Sequence, residues 1–357
     1  MKRDNSNLEK RKIGWFCSYV PEELIIAAGL EPVRIQGQVE KLKEADSYIF
    51  SNVCPYVRNI MDSGLRNKLE NVEGIIFTNS CDGMRRVYDL WTEYTQTPFT
   101  YMLEIPKNRN EHGIKYFAAQ FLELKTRLEE AFDVHVSNDE LKKAISLMND
   151  LRGMIMDLFE KQKEIPPLHK GSELLALCRE EATRPKDETA GKLKDFSGQL
   201  KTSNYSKDKL PRILVMGDVI DKPTLFNMIE NAQASVVVFD TCNGLKHYSD
   251  SVENGPDPIE SLARRYLLKP PCARMPGFDK RIERLEQLIE DYSAEGIIYS
   301  SLKFCDYSLF EAPQIEDYLR KSRLPFLVLE NDYLWGDVER LRTRVEAFLE
   351  VVKGEFE

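Results

Sequence analysis

The sequence predicts an α/β protein: two doubly wound parallel-sheet units, Rossmann- or flavodoxin-like in style, with a mainly helical insertion between them. Three observations carry this. Short apolar runs such as residues 235–239 and 326–329 lack the polar alternation of a half-exposed strand, as in a parallel sheet covered on both faces. Stretches of helical period separate such runs in both halves of the chain. From residue 110 to 208 the strand-like runs stop and helical periodicity remains.

In the first unit, residues 1–109, a strand is expected at 13–16 and a helix at 21–28. Pro21 presets the helix's first turn, and Gly29 suits the left-handed position beyond its end. Strands at 32–35, 47–50, 74–78 and 99–105 follow, with helices after Pro55 and over 84–95. In the insertion, residues 110–208, Phe117, Phe121, Leu124, Leu128 and Phe132 share one helical face. Ser137 and Glu140 form a capping-box pair that opens a helix through Leu141, Ile145, Met148, Leu151, Ile155 and Phe159, and Pro166-Pro167 stops it. A short helix at 174–178 and a charged, weakly periodic connector over 183–209 come next. The second unit, residues 209–357, has strands at 213–216, 235–239, 296–300 and 325–329. Its helices span 223–231, 257–268, 279–292, 313–321 and 337–353, the last ending near Gly354.

The chain of 357 residues carries 50 Lys and Arg against 59 Asp and Glu, a net charge of −9, so it has no general attraction for phosphate backbones or anionic lipid. Neither nucleic acid nor a membrane is expected as a partner. No apolar run approaches the ~20 residues of a spanning helix. Met1 is followed by Lys, Arg, Asp and Asn rather than an apolar segment, which predicts a cytoplasmic protein without a secretory signal. Gly217-Asp218 after a strand invites a nucleotide reading, yet neither G-x-G-x-x-G nor a P-loop is present, so neither NAD nor ATP is expected on the chain itself.

The seven cysteines are placed unevenly. Cys81, Cys242 and Cys305 lie just beyond predicted buried strands, the edge at which parallel sheets bind ligands. Ser80-Cys81-Asp82-Gly83-Met84-Arg85-Arg86 and Thr241-Cys242-Asn243-Gly244-Leu245-Lys246-His247 match in residue type, and Asp89 and Asp250 extend the match. This reads as a pseudo-repeat whose glycine lets backbone approach a bulky ligand and whose helix amides offset thiolate charge. Cys17, Cys54 and Cys272 each lie near proline in stiff loops, whereas Cys178 shares a helical stripe with Leu174, Leu175 and Leu177 and reads as core. There is no Cys-x-x-Cys pair and there are only four histidines, so zinc-finger and thioredoxin chemistry lack support. Single cysteines converging in a crevice fit an iron–sulfur cluster; reduced cysteines packed beside tight turns are the alternative.

The segments Gly14-Trp-Phe-Cys17-Ser-Tyr-Val-Pro21-Glu-Glu-Leu24, Asn79-Ser-Cys81-Asp82, Lys303-Phe-Cys305-Asp306 with Pro313, and Glu330-Asn-Asp332 span both units. Together they resemble the 2-hydroxyacyl-CoA dehydratase and benzoyl-CoA reductase subunit family. The resemblance implies an oxygen-sensitive 4Fe-4S cluster on Cys17, Cys81 and Cys305. It implies a low-potential electron from a separate ATP-hydrolysing iron–sulfur activator protein, and an acyl-CoA or other small-molecule substrate; a 2-hydroxyacyl-CoA would pass through a ketyl radical and lose hydroxide. It also implies a homodimer or a heterodimer with a homologous subunit. The further Cys54, Cys242 and Cys272 are similar to the double-cubane-cluster branch, in which six cysteines hold an 8Fe-9S group that reduces small molecules; Cys272-Ala-Arg departs from the paired-cysteine loop of some members.

Around these motifs, Glu22 and Glu23 are candidate catalytic proton donors or bases, or simply acids favoured at a helix start. Arg85 and Arg86 could clamp CoA phosphates or be solvated charges, and His247, at the repeat position of Arg86, could titrate near a cluster or lie at the surface. Trp15, Tyr19, Tyr56 and Tyr307 flank cysteines and could shield a cluster from water. Two other functions compete with the enzyme: a non-catalytic two-lobed small-molecule binding protein, and an iron–sulfur electron carrier.

Overall fold

The computed structural model describes residues 11–69, 71–200 and 209–354. Two four-stranded, wholly parallel sheets form its frame. The first contains β1 (Lys12–Trp15), β2 (Glu31–Arg34), β3 (Val72–Thr78) and β4 (Phe99–Leu103) in the order β2-β1-β3-β4. The second contains β5 (Arg212–Gly217), β6 (Ser235–Asp240), β7 (Gly296–Leu302) and β8 (Phe326–Asn331) in the order β6-β5-β7-β8. Both sheets thus have the same winding and reverse their direction of growth at the first and third strands, which opens a crevice at the strands' carboxyl ends. Every residue of β6 and β7 is buried, which is why those runs show no alternation.

The first unit's helices are α1 (Glu22–Ala27), α2 (Pro55–Leu65) and α3 (Asp82–Tyr94). The middle segment supplies α4 (Glu111–Phe132), α5 (Asn138–Lys161), α6 (Gly171–Thr183) and α7 (Lys186–Leu200). The second unit adds α8 (Thr224–Asn231), α9 (Leu245–Tyr248), α10 (Pro258–Leu268), α11 (Phe278–Asp291), α12 (Asp306–Leu319) and α13 (Val338–Lys353). The Ser137–Glu140 capping box closes in both directions, and Gly354 ends α13 with φ +73°. Phe117, Phe121, Leu124 and Leu128 of α4 pack beneath the first sheet with Leu262 and Tyr266 of α10. The single helix α5 serves both cores: Leu141 and Ile145 join the first, Ile155, Leu158 and Phe159 the second.

Three local expectations differ from the structure. The strand at 47–50 is instead a 3-10 turn at Ala45–Ser47, because Asp62 Oδ1 accepts the N–H groups of Lys43 at 2.8 Å and Ala45 at 2.9 Å and curls the chain. The connector over 183–209 contains α7, whose buried face is Lys186, Thr189, Leu193 and Leu200; a buried lysine hides the apolar period. Asp208, the expected end of the insertion, lies outside the described residues. The helix expected from Pro313 already begins at Asp306 and keeps the proline inside it.

Across the crevice, Arg34 at the end of β2 forms a buried ion pair with Asp221 at 2.6 Å. The Tyr333 hydroxyl donates to Asp221 at 2.7 Å and accepts the Gly37 N–H at 2.9 Å. Charge-assisted bonds between the two units therefore hold their carboxyl edges face to face. Among the described residues no helix is long and apolar enough to cross a membrane.

Candidate functional site

Segments that follow β1, β3, β5, β6 and β7 line one cavity of about 570 Å³ between the sheets. Its wall includes Cys17, Cys54, Cys81, Cys242, Cys272 and Cys305, all of them free thiols. Cys178 is the exception: it is 1% exposed and packs in the second core, as its stripe predicts.

Local chain chemistry places each sulfur. Cys17 sits in a turn closed by the Val20 N–H on its carbonyl at 3.0 Å. Cys54, Cys81 and Cys305 are the N-cap residues of α2, α3 and α12, so three thiols stand at positive helix ends, and Met84 N–H reaches Cys81 Sγ at 3.4 Å. Cys242 is fixed by its neighbour Asn243, which accepts the Ile220 N–H at 3.2 Å and donates to the Ile220 carbonyl at 2.7 Å. Cys272 occupies the loop after α10, where its carbonyl accepts the Met275 N–H at 2.9 Å. Gly217 has φ +113°, and a Cβ there would stand 2.3 Å from the Ser300 carbonyl oxygen. Only glycine lets β5 and β7 approach so closely, and the turn delivers Asp218, whose Oδ1 accepts Ser308 Oγ at 2.7 Å and Arg274 Nη2 at 3.1 Å. The same guanidinium nitrogen lies 2.9 Å from Cys305 Sγ.

The pseudo-repeat is real, but its register differs from the motif match. Strand order equates β3 with β7, hence Cys81 with Cys305, while Cys242 follows the edge strand β6, the counterpart of β2. The shared Cys-x-Gly turn is a local resemblance between non-equivalent strand ends. Its glycines also act otherwise than expected: a Cβ at Gly244 would strike Phe239, within its own unit, and one at Gly83 would meet only ordinary contacts at 3.6 Å.

Burial dominates the electrostatics. It pushes the Cys242 thiol up to about 12 against the pull of Arg274, and Cys305 up to about 11 against the same cation. Cys17 is raised by burial and then by Cys272, and Cys54 by burial and then by Cys305. Burial, then Arg265, brings the Lys269 ammonium down to about 7, and its Nζ donates to Ser18 Oγ at 3.0 Å. In the metal-free protein Cys17, Cys54, Cys242 and Cys305 are therefore held as neutral S–H, and their thiolates need a bound cationic centre.

An iron–sulfur group fits this wall by donor chemistry and room. The donors are all sulfur, the soft set such clusters take, and the space far exceeds the ~30 Å³ of a water molecule. Among the described residues no three His, Cys, Asp or Glu side chains form a single-ion site.

Tyr19, Tyr56 and Tyr307 also line the cavity, and Trp15 lies behind it, stacked on His247 with 5.5 Å between ring centroids. Glu22 and Glu23 do not line it. Glu22 is buried between Lys186 at 2.8 Å and His247 at 3.3 Å, and Glu23 accepts from Arg152 and, at 2.8 Å, from the Tyr266 hydroxyl. His247 is buried rather than at the surface, and burial, then Lys269, keeps it well below the usual histidine range and hence neutral. Arg86 reaches the rim; Arg85 is exposed away from it. Sequence reasoning missed Arg274 and Lys269, whose only signal is their closeness to Cys272, and it set Gly217-Asp218 aside with the nucleotide reading without assigning Asp218 a role at the cysteines.

The profile of the family described as "2-hydroxyglutaryl-CoA dehydratase, D-component" matches residues 17–352. The chain is 26% identical to the provisionally named dehydratase subunit YjiM of Escherichia coli (strain K12), over 95% of this chain and 91% of that one. It is 24% identical to a benzoyl-CoA reductase subunit of Thauera aromatica, over 96% and 91% respectively. With the (R)-phenyllactyl-CoA dehydratase beta subunit of Clostridium sporogenes it shares 22% identity over 96% and 92%.

Proposed function

The chain belongs to the 2-hydroxyglutaryl-CoA dehydratase D-component family, and from that premise we propose that it is the iron–sulfur component of an oxygen-sensitive dehydratase or reductase. The observation that supports this best is the gathering of six of seven cysteines, from separate loops of both units, on the wall of one cavity. Cys17, Cys81 and Cys305 would hold a 4Fe-4S cluster. Cys54, Cys242 and Cys272 face the same cavity and favour the larger 8Fe-9S double cubane. When bound, such a group supplies single electrons at low potential and an iron that polarises a substrate oxygen.

The chain's own residues do the rest. The helix ends at Cys54, Cys81 and Cys305 offset thiolate charge, and Arg274, anchored on Asp218, adds a fixed cation at Cys305. Tyr19 and Tyr56 wall the cavity against water, while Phe304, Tyr307 and Phe310 line it and are exposed, leaving an approach from outside. The electron comes from a separate ATP-hydrolysing iron–sulfur activator, the substrate is an acyl-CoA or another small molecule, and the working assembly is a homodimer or a pair with a homologous subunit, in the cytoplasm.

Separate Cys17→Ala, Cys81→Ala and Cys305→Ala variants test the reading. Each should lose most of the thiolate-to-iron absorption of the anaerobic protein while keeping its far-UV circular dichroism. Full iron retention removes that residue from the ligand set. Turnover that requires both ATP and the activator supports the enzyme; a chain that only relays electrons supports the carrier.

A further inference from the structure

Three tyrosines line the cavity, and their hydroxyls differ. Tyr56 is satisfied: its hydroxyl donates to the Ile35 carbonyl at 3.2 Å. Tyr307 is 40% exposed and meets solvent. Tyr19 is 2% exposed, and its hydroxyl oxygen is buried without a hydrogen-bond partner in the protein. An unsatisfied buried hydroxyl costs ~1–3 kcal/mol, so a native chain that keeps one beside a cavity points to an occupant that completes it.

The ring cannot turn away easily. Tyr19 belongs to the first core cluster, its chain is pinned by the Cys17–Val20 turn, and the Lys269 ammonium lies 4.4 Å from its centroid. Lys269 is itself fastened to Ser18. Tyr19 lines the same cavity as Cys17, Cys242 and Cys272, so its unpartnered O–H stands as a free donor beside whatever these sulfurs hold.

Resting on the iron–sulfur reading above, we propose that the Tyr19 hydroxyl donates a hydrogen bond to a sulfur of the group held in the cavity that Tyr19 and the six cysteines line. Tyr19 is thus a positioning residue on the first unit's side of a cavity that cysteines of the second unit also line. Because a hydrogen bond to sulfur stabilises the more negative, reduced state, it raises the group's reduction potential.

Tyr19→Phe keeps the ring, its packing and its stacking under Lys269, and deletes only the donor. Iron per chain should stay at the wild-type level, the midpoint potential should shift negative, and the Fe–S resonance Raman bands should lose a shift that wild-type protein shows in D2O. Tyr56→Phe, which removes a hydroxyl already satisfied by main chain, should leave potential and bands in place. Iron-loaded Tyr19→Phe with wild-type potential, or an equal shift in Tyr56→Phe, overturns the inference and leaves the iron–sulfur reading standing. Iron-free wild-type protein overturns both. If the variant loses its iron, wild-type bands that do not move in D2O overturn the inference by themselves.

Discussion

At the scale of single residues, burial keeps the thiols of Cys17, Cys54, Cys242 and Cys305 neutral. In the unfolded chain they titrate near 9.0, whereas Cys242 and Cys305 in the fold hold their protons to about 12 and 11. The folded state then binds more protons in that window, so stability present below pH 9 is lost as pH rises through it. Lys269 acts the other way: its value falls from 10.5 to about 7, the unfolded chain binds the extra proton, and stability rises with pH above 7. Metal-free protein should therefore show a Tm that climbs modestly from about pH 7 and falls beyond about pH 9, where several thiols outweigh one amine. Lys269→Met should remove the climb and keep the fall; a Tm flat from pH 8 to 11 contradicts the assignment. Cys178, in the core, should behave as packing only. Cys178→Ala should leave iron content unchanged and cost ~1–2 kcal/mol in urea unfolding, and loss of all iron would contradict its placement. That role was legible because its stripe is apolar. The burial of Glu22, Glu23 and His247 was not, because their partners Lys186, Arg152 and Tyr266 lie far along the chain and no local pattern announces an ion pair.

At the scale of elements, strand ends and helix starts build the site. The buried strands were legible as runs without alternation, and α5 by its capping box, since each signal is local. The 3-10 turn at Ala45–Ser47 was not, because the carboxylate that curls it, Asp62, sits on a later helix. The repeat register also escaped, because a Cys-x-Gly turn recurs after non-equivalent strands and only pairing reveals which strand is which. Gly217 marks the tightest junction. Gly217→Ala combines a left-handed φ with a clash on the Ser300 carbonyl, which predicts a loss of ~1–3 kcal/mol or more. Urea unfolding of the metal-free protein checks it, and a neutral result contradicts the close β5–β7 approach.

At the scale of the whole molecule, the cavity exists because two similarly wound sheets are held edge to edge, and α5 packs in both cores. The Arg34–Asp221–Tyr333 contact is their direct link. Asp221→Ala leaves Arg34 buried and unpaired, so stability should fall by ~3–5 kcal/mol, and iron retention should fall with it. Full retention of both means the cavity is held by other contacts. Cys242→Ala should halve the iron per chain if the two sets of thiols each hold a cubane. The most direct test is the iron and acid-labile sulfide content of wild-type protein purified without oxygen. The six-thiol wall predicts a brown protein with about eight irons per chain and a similar count of sulfide; four irons would leave only the single cubane, and a colourless, iron-free protein with all seven thiols titratable on unfolding would contradict the account at its centre.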